Sequence, residues 1–216
     1  MKTILVLGAT GRTGRLVCKH RPDNATVYAG LRQARYVEGQ RSLPDGADAP
    51  RVVDIDNHTS LSTALEGVDV VVNAIRLRED IAASALVELH QSIVAARDTS
   101  RELSIVHVGG AGALHMDDGR RFWETPGFPA ITLPRGIGHA RLRDYLEQHE
   151  QSCQWAYLIP PPRYAPDGPC QGRYSRLPAG DCEQTFLTDG ISYEDFAAAL
   201  VDAVREEWRG VWLIGG

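Results

Sequence analysis

The sequence predicts an α/β fold: a doubly wound, mainly parallel sheet with helices on both faces. Three observations carry that expectation. Short apolar runs rich in Val and Ile alternate with amphipathic segments along most of the chain, the order in which β-α-β units are written. These runs are almost continuously apolar rather than alternating, as needed where both faces of a strand are covered. The first run also passes directly into three glycines spaced three apart, and from there into a helical pattern.

Taken in order, the predicted strands are Thr3–Leu7, Thr26–Leu31, Arg51–Asp54, Val68–Ala74, Ser104–Gly109, Gln154–Ile159 and a closing Val211–Ile214. Helical spacing marks Arg12–His20, Thr59–Leu65 and Asp80–Asp98, the last with Ile81, Ala85, Val87, Leu89 and Ile93 broadly on one side. A further helix is expected over Ile137–Glu150. Another runs from a Ser192 cap to Glu207, with Asp195 at the capping-box position and Phe196, Ala199, Leu200 and Ala203 turned inward. Pro160–Pro162 ends the sixth strand, and Pro166–Gly180 reads as a surface loop. No repeat or linker interrupts the pattern, so residues 1–216 are read as a single domain, with substrate-side loops mainly in 110–135 and 160–180.

Composition narrows the function. Apolar residues make up 43% and charged residues 24%, which is ordinary globular chemistry. With 23 basic against 28 acidic residues, a net charge of −5 and scattered arginines, no nucleic-acid partner is expected. Cys18, Cys153, Cys170 and Cys182 form no CxxC pair and no zinc spacing, so no metal site is expected either. The apolar start ends at Gly8, short of a signal-peptide core, and no run approaches the roughly 18 residues of a membrane span. The expectation is a cytoplasmic protein with free thiols, Cys170 the most exposed, working as a monomer or homodimer.

The glycine turn is the most informative motif. Gly8-Ala9-Thr10-Gly11-Arg12-Thr13-Gly14 sits between a strand and a helix. There Gly8 permits the tight turn, Gly11 lets the backbone approach a pyrophosphate, and Gly14 lets the helix lie close on the strand. Amides freed at the helix start, together with the helix dipole, then face the phosphates. This is a Rossmann-type dinucleotide site. An NAD site usually adds an acid about 20 residues further on, but the second strand ends Ala29-Gly30-Leu31-Arg32 with no acid before Glu38. Arg32 can instead fork onto a 2′-phosphate, joined by Arg12 and, more weakly, Arg35. NADP(H) is therefore the preferred cofactor, with NAD(H) possible. Asp54 and Ile55 are placed to meet an adenine ring, unless Asp54 serves as a turn or cap residue. Asn73, Ala74 and Ile75, at the end of the fourth strand, suit either a backbone wall against the adenosine and nicotinamide riboses or an ordinary strand end.

The glycine turn, the Leu31-Arg32 strand end and Val52-Val53-Asp54-Ile55 together resemble atypical short-chain dehydrogenase/reductases. The nearest likeness is to the NmrA-like, NAD(P)H-binding group that includes NADH-flavin reductase and biliverdin-B reductase relatives. Val108-Gly109-Gly110-Ala111-Gly112, Trp155-Ala156-Tyr157-Leu158-Ile159-Pro160 and Ile191-Ser192-Tyr193-Glu194-Asp195-Phe196-Ala197 extend the resemblance over nearly the whole chain. It implies a parallel sheet with one cofactor site. It also implies a function that is either reduction of flavins or quinones or sensing of the nucleotide without catalysis. One departure matters. The Tyr-x-x-x-Lys pair of the main short-chain dehydrogenases is replaced by Ile137 and Arg141, and the fifth strand ends without serine. Arginine stays charged and relays protons poorly, which speaks against alcohol dehydrogenation and against nucleotide-sugar epimerase chemistry.

What remains is NADPH-dependent hydride transfer to a conjugated ring, a reaction that asks the protein mainly for geometry and exclusion of water. Gly110, Ala111, Leu114, Pro160, Pro161 and Tyr164 are the expected pocket residues, beyond the carboxyl ends of the strands. Phe122, Trp123 and Phe128 serve as a lid or as packing. No catalytic residue is identified outright; His115 and His139, as proton donors, and Arg141 are the candidates, whereas His107 reads as a core group.

Overall fold

The computed structural model describes residues 1–32, 43–76, 82–165, 168–180 and 182–216. In chain order the elements are β1 (Lys2–Leu7), α1 (Arg12–Lys19), β2 (Ala25–Leu31), β3 (Ala49–Val52), α2 (His58–Leu65), β4 (Val70–Asn73), α3 (Ala85–Ala96) and β5 (Ser104–Val108). They continue with α4 (Leu133–His149), β6 (Gln154–Ile159), β7 (Arg163–Ala165), β8 (Ser175–Pro178), β9 (Gly190–Ser192), α5 (Tyr193–Arg205) and β10 (Gly210–Gly215). Eight strands form one sheet in the order β3-β2-β1-β4-β5-β6-β10-β8. All its pairings are parallel except β10 with β8. β7 and β9 pair separately as a short parallel ribbon.

The two-residue period of the strands sorts side chains onto the two faces. Ile4, Val6, Val27, Val72 and Leu158 point to one face, where α1 and α5 cover them with Val17, Phe196, Leu200 and Val204. Leu5, Leu7, Val71 and Ile105 point to the other, beneath Leu61 and Leu65 of α2 and Leu89 and Ile93 of α3. Further along that face α4 lays Ala140, Leu142 and Leu146 over Tyr157 and Ile159. Each such aliphatic side chain, fully buried, contributes roughly 1.5–3 kcal/mol. The chain leaves β1 for neighbours on both sides, β2 and β4, so a crevice opens at the carboxyl ends of β1 and β4.

The differences from expectation lie at element ends and at the sheet edge. β3 starts two residues before the predicted strand, and α3 begins at Ala85 rather than at Asp80; Asp80, Ile81, Arg35 and Glu38 lie outside the described residues. α4 starts four residues early because Pro134, in its first turn, needs no hydrogen-bonded N–H there. The segment read as loop contains β8, an edge strand that carries no apolar alternation because it is held by backbone pairing alone on one side. Arg176 of that strand stacks its guanidinium 4.1 Å from the Trp208 ring and 4.6 Å from the Trp212 ring. The Ser192 cap forms as expected: its Oγ accepts from the Asp195 amide at 3.0 Å and donates to the Asp195 carboxylate at 2.7 Å. Among the described residues no helix is long and apolar enough to cross a membrane, and all four cysteines are free, with Cys170 exposed.

Candidate functional site

Parallel β1, β2, β3, β4, β5 and β6 bring Gly8, Arg32, Asp54, Ala74, Gly109 and Pro160 to one edge of the sheet. At the first of these tips the backbone geometry requires glycine. Gly8 has φ +76°, and a Cβ there would come within 2.6 Å of the Ala74 carbonyl and 2.9 Å of the Ile75 nitrogen. A Cβ on Gly14 would stand 2.3 Å from the Gly8 carbonyl oxygen, so helix and strand touch there without side chains. Gly11 differs. It has ordinary φ, is exposed, and caps α1 with no side-chain hydrogen bond and no acid in the first turn. Its own amide donates to Gly8 at 2.8 Å. An open helix start without capping oxygen or nearby carboxylate fits a diphosphate. Thr10 is exposed beside it, as are Arg12 and Arg32.

The remaining residues expected to bind a nucleotide are placed as follows. Asp54 is exposed, and its Oδ1 accepts from the Asp56 amide at 3.1 Å. The turn role left open by the sequence is therefore the one the structure forms. Ile55 and Ile75 pack at the margin of the core. Asn73 is buried at 3% exposure, and its side chain belongs to a polar network rather than to the wall itself. Thr13 is buried, with Oγ1 2.7 Å from the Tyr164 hydroxyl. Tyr164 in turn stacks on Tyr193 at 3.8 Å between ring centres, so the turn after β1 is tied directly to the segment after β6.

The expected acceptor pocket is reduced. Leu114 is wholly buried among Leu142, Leu146 and Tyr157 beneath α4, so it is core and not pocket lining. Pro160 and Pro161 are buried as well. Gly110, Ala111 and Tyr164 keep partial exposure and lie near the tips. Phe122 and Phe128 meet edge to face at 5.1 Å, and Phe128 and Trp123 fill the space where Gly136 lacks a side chain. These aromatics are packing, not a free lid.

Of the three catalytic candidates, His139 alone is seen to meet the expected pocket residues. A Cβ on Gly110 would fall 2.5 Å from its ring. Its Nδ1 lies 3.0 Å from the Tyr157 hydroxyl, which donates to the His139 carbonyl at 3.0 Å. A phenol has one proton, so Nδ1 must carry the hydrogen of the first bond and Nε2 is left as an acceptor. Among the described residues nothing bonds to Nε2. Burial, then the Arg135 charge, push the His139 pKa down to about 4, and burial raises that of Tyr157. Both groups are neutral at neutral pH, so His139 is a poor proton donor, contrary to the expectation from sequence. His115 is lowered too, first by burial and then by Arg121 and Arg143. Arg141, two residues beyond His139, projects from the opposite side of α4 into solvent.

Two buried polar clusters were not read from the sequence. Arg143 and Glu183, 1% and 2% exposed, form a two-pronged pair at 2.7 and 2.9 Å. Glu183 also accepts from the amides of His115 and Gly180, and Arg143 donates to the Ala113 carbonyl. This pair pins the loops after β5 and before α5 onto α4. The second cluster joins Asn73, His107, His90 and Glu150. The partners stand 17 to 60 positions apart, beyond the reach of any local pattern.

A family model described as NAD(P)H-binding matches residues 8–207. The chain belongs to the NAD(P)H-binding family. This agrees with the likeness to atypical short-chain dehydrogenase/reductases carried by its motifs. No curated protein matches this family member. Solved structures do. A protein from Burkholderia pseudomallei described as a candidate exported protein matches at 26% identity, with full coverage of both chains and a TM-score of 0.80. A candidate NADH-flavin reductase from Streptococcus pneumoniae matches at 22% identity over 100% and 99% of the two chains, with a TM-score of 0.77. A candidate epimerase from Bacteroides thetaiotaomicron matches at 22% over 99% and 96%, with a TM-score of 0.78. The last two likenesses show the fold alone.

Proposed function

We propose that this NAD(P)H-binding protein is an NADPH-dependent oxidoreductase whose acceptor is a flavin, a quinone or a similar conjugated ring. The observation that carries the reading is the open glycine-capped start of α1, free of acids, with exposed Arg12 and Arg32 at the same edge of the sheet. In this reading the amides of the turn hold the diphosphate and Arg32, with Arg12, holds a 2′-phosphate. Thr10, Thr13, Asp54, Ile55 and the Asn73–Ile75 segment surround the rest of the nucleotide. The bound nicotinamide supplies the hydride. Gly110, Ala111 and Tyr164 flank the acceptor, and His139 Nε2 offers one hydrogen-bond acceptor to a ring N–H or hydroxyl. A conjugated acceptor suits this site because it can take its proton from water. In this reading the protein works in the cytoplasm, as a monomer or homodimer.

Titration calorimetry with NADPH and NADH tests the cofactor, and loss of nicotinamide absorbance with FMN or a naphthoquinone tests the reaction. Arg32→Ala is expected to weaken NADPH by about tenfold or more, the loss of a charge-assisted bond worth about 1.5–3 kcal/mol, while NADH changes little. Equal losses for both coenzymes would remove the 2′-phosphate assignment. A second reading, an NmrA-like sensor that binds NADP(H) without turnover, draws on the neutral state of His139 and Tyr157. It predicts tight binding, unequal for oxidised and reduced coenzyme, and no consumption across a broad acceptor panel.

A further inference from the structure

We infer that Glu150, at the far end of α4, sets the amide orientation of Asn73 through two buried imidazoles and so positions the Ala74–Ile75 wall of the nucleotide crevice. That the crevice holds a nucleotide rests on the function proposed above; the chain of bonds does not. Glu150, His90, His107 and Asn73 are 9%, 0%, 1% and 3% exposed. Glu150 Oε1 accepts from the Ser152 amide and hydroxyl, both at 2.7 Å, and from the Cys153 amide at 3.3 Å. That half of the carboxylate is filled, and Oε2 lies 2.7 Å from His90 Nε2. A carboxylate only accepts, so Nε2 carries a proton, and in a neutral ring His90 Nδ1 is then bare.

Each later link follows from the one before. Bare His90 Nδ1 lies 3.1 Å from His107 Nε2, which must therefore be N–H, leaving His107 Nδ1 bare. That nitrogen lies 3.3 Å from Asn73 Nδ2, the donor end of the amide. Asn73 Oδ1 then faces the Ile75 amide, which donates to it at 3.2 Å. The backbone donor at this end independently requires oxygen there, so the two termini of the chain agree on its direction. The same Ile75 nitrogen lies 2.9 Å from where a Cβ on Gly8 would stand. The amide thus fixes the strand tip on which the glycine turn rests. Burial lowers the pKa of both imidazoles, that of His90 despite the Glu150 charge, in keeping with two neutral rings.

A metal is the competing use of this cluster, since His90, Glu150 and Cys153 present ligand atoms within 4.8 Å of one another. The four protein donors already on the Glu150 carboxylate argue against it.

The test uses the full chain labelled with 15N. Long-range proton–nitrogen correlation is expected to show His90 and His107 both neutral and both as the Nε2–H tautomer at pH 7. An Nδ1–H tautomer or a charged ring on either residue, or loss of either Nε2–H signal on adding zinc, would overturn the proposal. Glu150→Leu frees the chain to reverse and is expected to speed exchange of the Ile75 amide at least about tenfold relative to that of Val72. Glu150→Gln keeps its oxygen on the Ser152 and Cys153 donors and so turns its NH2 to His90 Nε2, which reverses the chain and should speed Ile75 exchange as Glu150→Leu does. Ile75 exchange that stays at the wild-type rate in both variants would also overturn it, and the tautomers of the unmodified chain decide the matter if Glu150→Leu does not fold. NADPH affinity should fall with Ile75 protection. A wild-type chain that shows the expected tautomers but binds no coenzyme refutes the nucleotide reading alone.

Discussion

The two halves of the crevice are built from different materials. On the β1–β2 side the chemistry is in the backbone: glycines at fixed spacing, an uncapped helix start and exposed arginines. On the β5–β6–α4 side it is in buried side chains that satisfy one another across the fold, the Arg143–Glu183 pair, the His139–Tyr157 contact and the imidazole chain. The first half is organised by steric exclusion, where one added carbon is ruinous. The second is organised by donor–acceptor matching, where the loss of one partner strands another.

The largest expected effect breaks the second half. Glu183→Ala leaves the buried Arg143 guanidinium with the half-buried Glu147, 3.2 Å from its Nε, as its remaining carboxylate, and should cost about 3 kcal/mol or more, read as a drop in the midpoint of urea unfolding. Arg143→Met with Glu183→Leu should recover much of it, because neither charge is then stranded. No recovery would mean that Glu183 acts mainly through the His115 and Gly180 amides.

Next in size is a test of the first half. Gly14→Ala drives a Cβ into the Gly8 carbonyl, an over-packing cost of about 1–3 kcal/mol. Gly11→Ala has a single contact at 3.1 Å and ordinary φ, so its fold should be nearly unaffected while coenzyme affinity drops. If both variants lose stability equally, the division between packing glycine and ligand-facing glycine is wrong.

The smallest effect, taken per histidine and per pH unit, is gradual. His90, His107 and His139 have folded pKa values below the ordinary 6.5, so below that pH the unfolded chain takes up protons the folded chain refuses. Stability is complete above about pH 6.5 and should fall with acidification by up to about 1.4 kcal/mol per pH unit for each histidine. The His139 contribution levels off near pH 4. Glu150, raised by burial but lowered overall by bonds from His90 and Ser152, adds a further loss as pH falls below its ordinary value of 4.5. Unfolding midpoints at pH 7, 6 and 5 check the sign; a flat profile would mean that the imidazoles are hydrated.

Sequence and structure agree where physics is local. Gly8, Gly11 and Gly14 act within seven residues, and the strand-turn-helix context that gives them meaning is equally short. The Ser192 cap is legible for the same reason. Leu114 reads as pocket lining from sequence because its position after β5 says nothing of α4, which folds back over it from residues later in the chain. Arg143 reads as a surface charge on a helix until Glu183, 40 positions on, is brought against it. Asn73 and His107 are register partners on β4 and β5. A buried histidine opposite a strand-end asparagine was the one available sign of the imidazole chain.

Thr13 and Tyr164 lie 151 positions apart and are joined by a hydrogen bond between their hydroxyls. The glycine loop therefore leaves the ribosome well ahead of Tyr164, and its threonine acquires a partner only after a further 151 residues have been made. A nascent chain halted before Tyr164 can close the main-chain turn, but that hydroxyl stays bound to solvent.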